Sequence, residues 1–111
     1  METGKADRHK AALEYAVRYL LHRYRNEVYA IYAYGSFARG EHRYHSDVDL
    51  LVYLEAPLDA ATMRKMKAGV ISDDYTLPDV ELNLQVKGAK MTCRQFHENV
   101  ERDRRLIWKK K

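Results

Sequence analysis

The sequence predicts an α+β domain, a small β-sheet flanked by helices, and three observations predict it. An apolar stripe at helical spacing runs through residues 6–25. Three later stretches carry the apolar runs or the strict alternation of β-strands. The first two of these are joined by a Gly-Ser turn and a polar loop, and the second opens on two aspartates one position apart.

The helix over 6–25 places Ala12, Leu13, Ala16, Val17, Leu20 and Leu21 on one stripe, with Arg8, Lys10, Arg18, His22 and Arg23 largely off it. Asn26 is its stop. Val28 to Tyr34 reads as a strand with Val28, Ala30, Tyr32 and Tyr34 on one side and Tyr29, Ile31 and Ala33 on the other. Both sides are apolar, as in a strand covered on both faces. Ser36 to Gly40 is expected as a short helical turn. Glu41 to His45 is a polar loop, where His42 and His45 lack the spacing of a helical metal pair.

Val48 to Leu54 is the second strand, braced at its start by Ser46 and closed by Pro57. Residues 59–73 have helical character, with Ala60, Met63, Met66, Val70 and Ile71 on a loose apolar face that Gly69 weakens. Asp79 to Val86 alternates most clearly: Val80, Leu82, Leu84 and Val86 face a core, and Asp79, Glu81, Asn83 and Gln85 face away. Thr92 is a candidate N-cap for a helix to about 102. Leu106-Ile107-Trp108 is a short terminal strand or packing segment, followed by a lysine tail expected to fray.

Chemistry concentrates between the first two strands. Gly35 has no Cβ, so the backbone can turn sharply there and let a phosphate approach. Ser36 offers a hydroxyl and a backbone N–H at the head of a turn whose first N–H groups attract anions. Arg39 could reach the same phosphate or fix the loop through an ion pair. Residues two apart on a strand share a face, so Asp47 and Asp49 project together. Two such carboxylates repel and are costly to keep ionised without a cation. Their oxygens suit Mg²⁺, which takes one or two carboxylates and fills its octahedron with water and substrate phosphates. A lone Gly-Ser is a turn, and a lone Asp-x-Asp a solvated strand edge. It is their occurrence together, each beside a strand, that points to a nucleoside triphosphate held next to a metal ion.

Composition bounds the rest. The chain has 111 residues, 46 % of them hydrophobic, enough for a single domain over 1–111 with a core of its own. A net charge of +4 favours anionic ligands such as nucleotides. The basic residues are spread along the chain, so nucleic acid is not the expected partner. One cysteine, Cys93, excludes an intrachain disulfide and a thiolate metal cluster. No apolar run is long enough to span a membrane and residues 1–5 hold no signal-peptide core, so a cytoplasmic location is expected. There are nine tyrosines against two phenylalanines, and Tyr24, Tyr29, Tyr32, Tyr34, Tyr44 and Tyr53 crowd toward the turn, as amphipathic packing residues or, for one of them, as a surface on which a base stacks.

Gly35-Ser36-Phe37-Ala38-Arg39-Gly40, five intervening residues, and Ser46-Asp47-Val48-Asp49-Leu50 together resemble the signature of the DNA polymerase β-like nucleotidyltransferases. Within that superfamily the chain is similar to the minimal nucleotidyltransferases of antitoxin type. The resemblance covers most of the chain and implies a small mixed β-sheet flanked by helices, the polymerase β palm-like fold. It implies Asp47, Asp49 and a third carboxylate as catalytic residues and ligands of one or two Mg²⁺ ions. Glu81, central on the polar face of its strand, is the expected third and Asp79 the fallback; Asn83, where relatives can carry an acid, departs from the pattern. Gly35, Ser36, Arg39 and Ser46 would bind the nucleotide.

The implied reaction transfers a nucleoside monophosphate, AMP from ATP, onto a hydroxyl acceptor. For antitoxins of this kind the implied acceptor is a tyrosine of a HEPN-type toxin. Two other classes stay open: a non-catalytic module that neutralises its partner by contact, and the catalytic subunit of a two-chain aminoglycoside-type transferase.

Overall fold

The computed structural model describes residues 5–40, 46–88 and 104–110. The chain forms helix α1 (Lys5–Tyr24), strand β1 (Val28–Tyr34), the short helix α2 (Gly35–Arg39), β2 (Val48–Leu54), α3 (Ala60–Gly69), β3 (Val80–Val86) and β4 (Arg105–Lys109). The strands make one mixed sheet in the order β3-β2-β1-β4. β1 runs antiparallel to both β2 and β4, while β2 and β3 are parallel. A parallel pair needs a crossover, and the segment containing α3 supplies it. The expected helix from Thr92, Cys93, and the histidines at 42 and 45 lie outside the described residues.

Both long helices lie on one face of the sheet. Ala12, Ala16 and Leu20 of α1 and Met66 of α3 share a core with Val48, Leu50, Val52 and Leu54 of β2 and with Val80 and Leu82 of β3. Alternation along β2 sends the apolar side chains inward and leaves Asp49 and Tyr53 on the other face. Leu51, also on that second face, is fully buried. Among the described residues no helix is long and apolar enough to cross a membrane.

Four expectations are corrected, the last at the C-terminal lysines. Val28 does not share a side with Tyr32 and Tyr34: a bulge between Val28 and Ala30 shifts the register, and Val28 joins Ile31 and Ala33 in the core. Gly69 is not simply a weak point of α3. The Tyr19 ring of α1 occupies the place of its missing Cβ, so glycine is what lets the helices approach. Ile71 leaves the apolar face, 42 % exposed beyond the helix end, and Asp59 caps α3 by accepting from the Thr62 N–H at 3.0 Å.

The C-terminal lysines are held at least as far as Lys110. Its backbone N–H donates to the Tyr29 carbonyl at 2.8 Å. Its ammonium reaches the Asn26 carbonyl at 3.1 Å and Glu55 at 3.2 Å, and Lys87 pairs with the same carboxylate at 2.7 Å.

Candidate active site

β1 ends where β2 begins, because the two are antiparallel. Tyr34 is therefore the cross-strand neighbour of Asp49, and Asp49 in turn is level with Glu81 of β3. The three make a row across the sheet on the face away from α1 and α3. The chain leaves β1 through Gly35, at φ 76°, runs through the single turn of α2, and stops at Gly40, at φ 75°. L-residues with a side chain rarely adopt that left-handed conformation. The turn at Gly35 starts α2 at the end of the row, with the Asp49 carboxylate against the bare Cα of Gly35 and with Phe37 and Ala38 packed on the core side.

The carboxylates feel one another. Burial pushes Asp49 up to about 6, helped by the charge of Glu81, a hydrogen bond with it, and the charge of Asp47; Arg39 pulls the other way. Asp47 is raised by burial and then by Asp79 and Glu81, with His9 opposing. The Tyr34 phenol is pushed up to about 12 by burial, Asp49 and Glu81, against a hydrogen bond with Asn83. Asn83, level with Leu51, also accepts from the Gln85 amide at 3.1 Å.

The structure thus brings together Asp47, Asp49 and Glu81, with Gly35 and the charge of Arg39 beside them. Asp79 falls nearer Asp47, and its carbonyl accepts from the Val48 N–H at 2.9 Å. Ser36 lies in the turn of α2. Ser46 takes part through its carbonyl, which meets His9 Nε2 at 2.7 Å. Among the described residues no three His, Cys, Asp or Glu side chains are already drawn into a metal cage. Asp47 and Asp49, raised by burial and then by neighbouring carboxylates, are nonetheless a donor set that fits a hard divalent cation, since Mg²⁺ needs only one or two of them.

His9 escapes a sequence reading that sorts residues 6–25 into an apolar stripe and a basic remainder. It is fully buried, and its ring stacks on Phe37 of α2 at 5.9 Å and 16°. The signal was its place: three residues before Ala12 and seven before Ala16, it heads the buried stripe. Further along the open face, Tyr32 and Tyr53 meet edge to face at 5.8 Å, with the Arg104 guanidinium 4.9 Å from the Tyr32 ring centre.

The model of the nucleotidyltransferase domain family matches residues 13–109. A Methanocaldococcus jannaschii protein, provisionally named a protein adenylyltransferase, is 26 % identical over 101 residues, covering 87 % of this chain and 95 % of that one. Among solved structures, a toxin–antitoxin structure with AMP-PNP superposes with a TM-score of 0.65 at 21 % identity, covering 88 % of this chain and 74 % of the other. A Sulfolobus solfataricus protein, provisionally described as a nucleotidyltransferase, gives 0.63 at 18 % identity, covering 97 % and 90 %. At such identities the solved structures establish a shared fold.

Proposed function

Because the chain belongs to the nucleotidyltransferase domain family, we propose that it moves AMP from ATP onto a tyrosine hydroxyl of a HEPN-type toxin, using Asp47, Asp49 and Glu81. The observation that carries the reading is the register of Asp49 with Glu81 beneath the turn at Gly35. An adenylyltransferase name on one relative and an ATP analogue in one toxin–antitoxin neighbour support the choice of nucleotide and of a protein acceptor.

Asp47 and Asp49, with Glu81 beside them, would hold Mg²⁺, which when bound offsets charge on the α-phosphate and on the departing pyrophosphate. Gly35 and Ser36 present backbone N–H groups and a hydroxyl to the β- and γ-phosphates, and Arg39 adds a guanidinium on the same side. Ser46 lines the same end of the sheet. The acceptor oxygen attacks the α-phosphorus in line. The new O–P bond forms as the bridge to the β-phosphate breaks, and pyrophosphate leaves with the electron pair. Glu81, level with Asp49 on the neighbouring strand, takes the acceptor proton. Positioning and electrostatics supply most of the rate.

The test is label transfer from [α-³²P]ATP, with Mg²⁺, to a HEPN-type toxin mixed with this protein. Label on the toxin with the wild type, and a loss of about 10²-fold or more with Asp49→Asn, is the expected result. Transfer at the wild-type rate by the double variant Asp47→Asn/Asp49→Asn would overturn the site. No transfer and no Mg²⁺-dependent ATP binding would leave the fold as a contact-only antitoxin. Label on an aminoglycoside in place of the toxin would point to the two-chain transferase.

A further inference from the structure

Asp47 stands just outside β2, and its side chain is exposed. A carboxylate at a strand end is ordinarily free to wander, yet here the backbone is pinned on both sides of it. On the far side, the Val48 N–H donates to the Asp79 carbonyl at 2.9 Å. On the near side, the Ser46 carbonyl lies 2.7 Å from His9 Nε2. A carbonyl can only accept, so Nε2 carries the proton of that bond.

The same imidazole stacks on Phe37, centroid to centroid at 5.9 Å with 16° between the planes. Phe37 belongs to α2, whose first residue, Gly35, lies against the Asp49 carboxylate. One side chain, with none of its surface exposed, therefore touches the two segments that must be in register: the glycine turn and the entry to the carboxylate strand. Its carrier, α1, is the longest helix and is anchored along its length by Ala12, Ala16 and Leu20 in the core. The tether therefore starts from a rigid element.

We propose that His9 is a positioning residue for nucleotidyl transfer: its Nε2–H fixes the Ser46 carbonyl, so that Asp47 keeps one geometry beside the α2 turn, against which the ring packs through Phe37. Being fully buried, it does not meet the substrate; it acts on Asp47 through Ser46. The proposal rests on the reading of Asp47 and Asp49 given above. Groups that orient ligand-bearing residues in this way are worth about 10- to 100-fold in metal affinity or activity. A histidine that only filled the core would be worth stability and nothing more.

Two substitutions separate the functions of the ring. His9→Phe keeps an aromatic face for Phe37 and removes the donor. His9→Gln removes the ring and keeps an N–H₂ at a similar reach. Mn²⁺ affinity is read by electron paramagnetic resonance with AMP-PNP present, alongside the Mn²⁺ dependence of label transfer and the thermal midpoint.

His9→Phe is expected to need about tenfold more Mn²⁺ in both readouts, and His9→Gln to recover most of that loss whatever its thermal midpoint. Wild-type Mn²⁺ affinity in His9→Phe, or an equal loss in both variants, overturns the proposal. Where His9→Phe does not fold, His9→Gln decides alone: near-normal Mn²⁺ affinity supports the tether, and a tenfold loss refutes it. Asp49→Asn, run beside them, keeps the two failures apart. Wild-type transfer by Asp49→Asn sinks the site and this proposal together, whereas an inactive Asp49→Asn with an unaffected His9→Phe sinks this proposal only.

Discussion

A Cβ placed on Gly35 would stand 2.5 Å from Oδ2 of Asp49 and 3.4 Å from its Cγ. The glycine opens α2 and the aspartate lies on β2, and they share a space that admits only one side chain. On the function proposed above, that space is also the one a phosphate would approach. Gly35 is thus constrained twice, by its φ of 76° and by its neighbour.

Gly40 provides the control for Gly35. It has nearly the same φ, 75°, but nothing lies within 4 Å of the Cβ it would gain. Each glycine-to-alanine change should cost about 1–2 kcal/mol through the left-handed backbone alone. Gly35→Ala should cost more and also lose transfer, because the Asp49 carboxylate must move. Gly40→Ala should keep transfer. Urea unfolding gives the stabilities and [α-³²P]ATP the activity; equal effects at the two sites would refute the close-approach argument.

Asp49 sets the direction of a pH dependence. Its carboxyl titrates at about 6 when folded, against an ordinary aspartate at 3.8. Between those values the folded chain binds more protons than the unfolded one. Stability without metal therefore falls as pH rises from about 4 through 6, and the loss is complete above that. Asp49→Asn removes the group. In EDTA it should match or exceed the wild type above pH 7, with the gap closing toward pH 4. Urea midpoints across that range check it; a gap that stays constant with pH contradicts it.

The sequence makes β2 and β3 legible because every residue on the core face is apolar while Asp49 and Glu81 on the other face are not, although Leu51 on that face is buried as well. From that pattern alone the acidic face follows, and the parallel register then sets Asp49 level with Glu81. β1 resists the same reading. Its residues are apolar on both faces, so nothing in their order marks the bulge that turns Val28 inward. His9 is missed for a related reason. Its type suggests solvent, while its place at the head of the stripe beside Ala12 decides its burial. Lys110 reads as a tail because its partners, Tyr29, Asn26 and Glu55, are far away in sequence.

Gly69 illustrates how a local scale can point the wrong way. Helix propensity alone favours Gly69→Ala by about 1 kcal/mol. The Tyr19 ring fills the site, however, and would have to swing away from its contact with the Lys65 carbonyl, where its hydroxyl donates at 3.4 Å. Gly69→Ala should therefore show no gain in the wild type and should stabilise a Tyr19→Ala background. A double-mutant cycle by urea unfolding should give a coupling above about 0.5 kcal/mol; strict additivity would refute the packing account.

Divalent cations should reverse the pH trend that Asp49 imposes. A cation bound by Asp47 and Asp49 requires both carboxylates ionised, so protons compete with it directly. At pH 8 both are ionised and mutually repelling, and a bound cation relieves that repulsion. At pH 5 Asp49 largely keeps its proton, since it titrates at about 6. Mn²⁺ at a hundredfold excess over its Kd adds about 2.7 kcal/mol to stability, roughly 10 °C in Tm for a domain of this size. The shift should be large at pH 8, small at pH 5 at the same Mn²⁺ concentration, and absent from Asp49→Asn at both. A shift of equal size in Asp49→Asn would place the cation elsewhere on the molecule and remove the charge argument on which the carboxylate site rests.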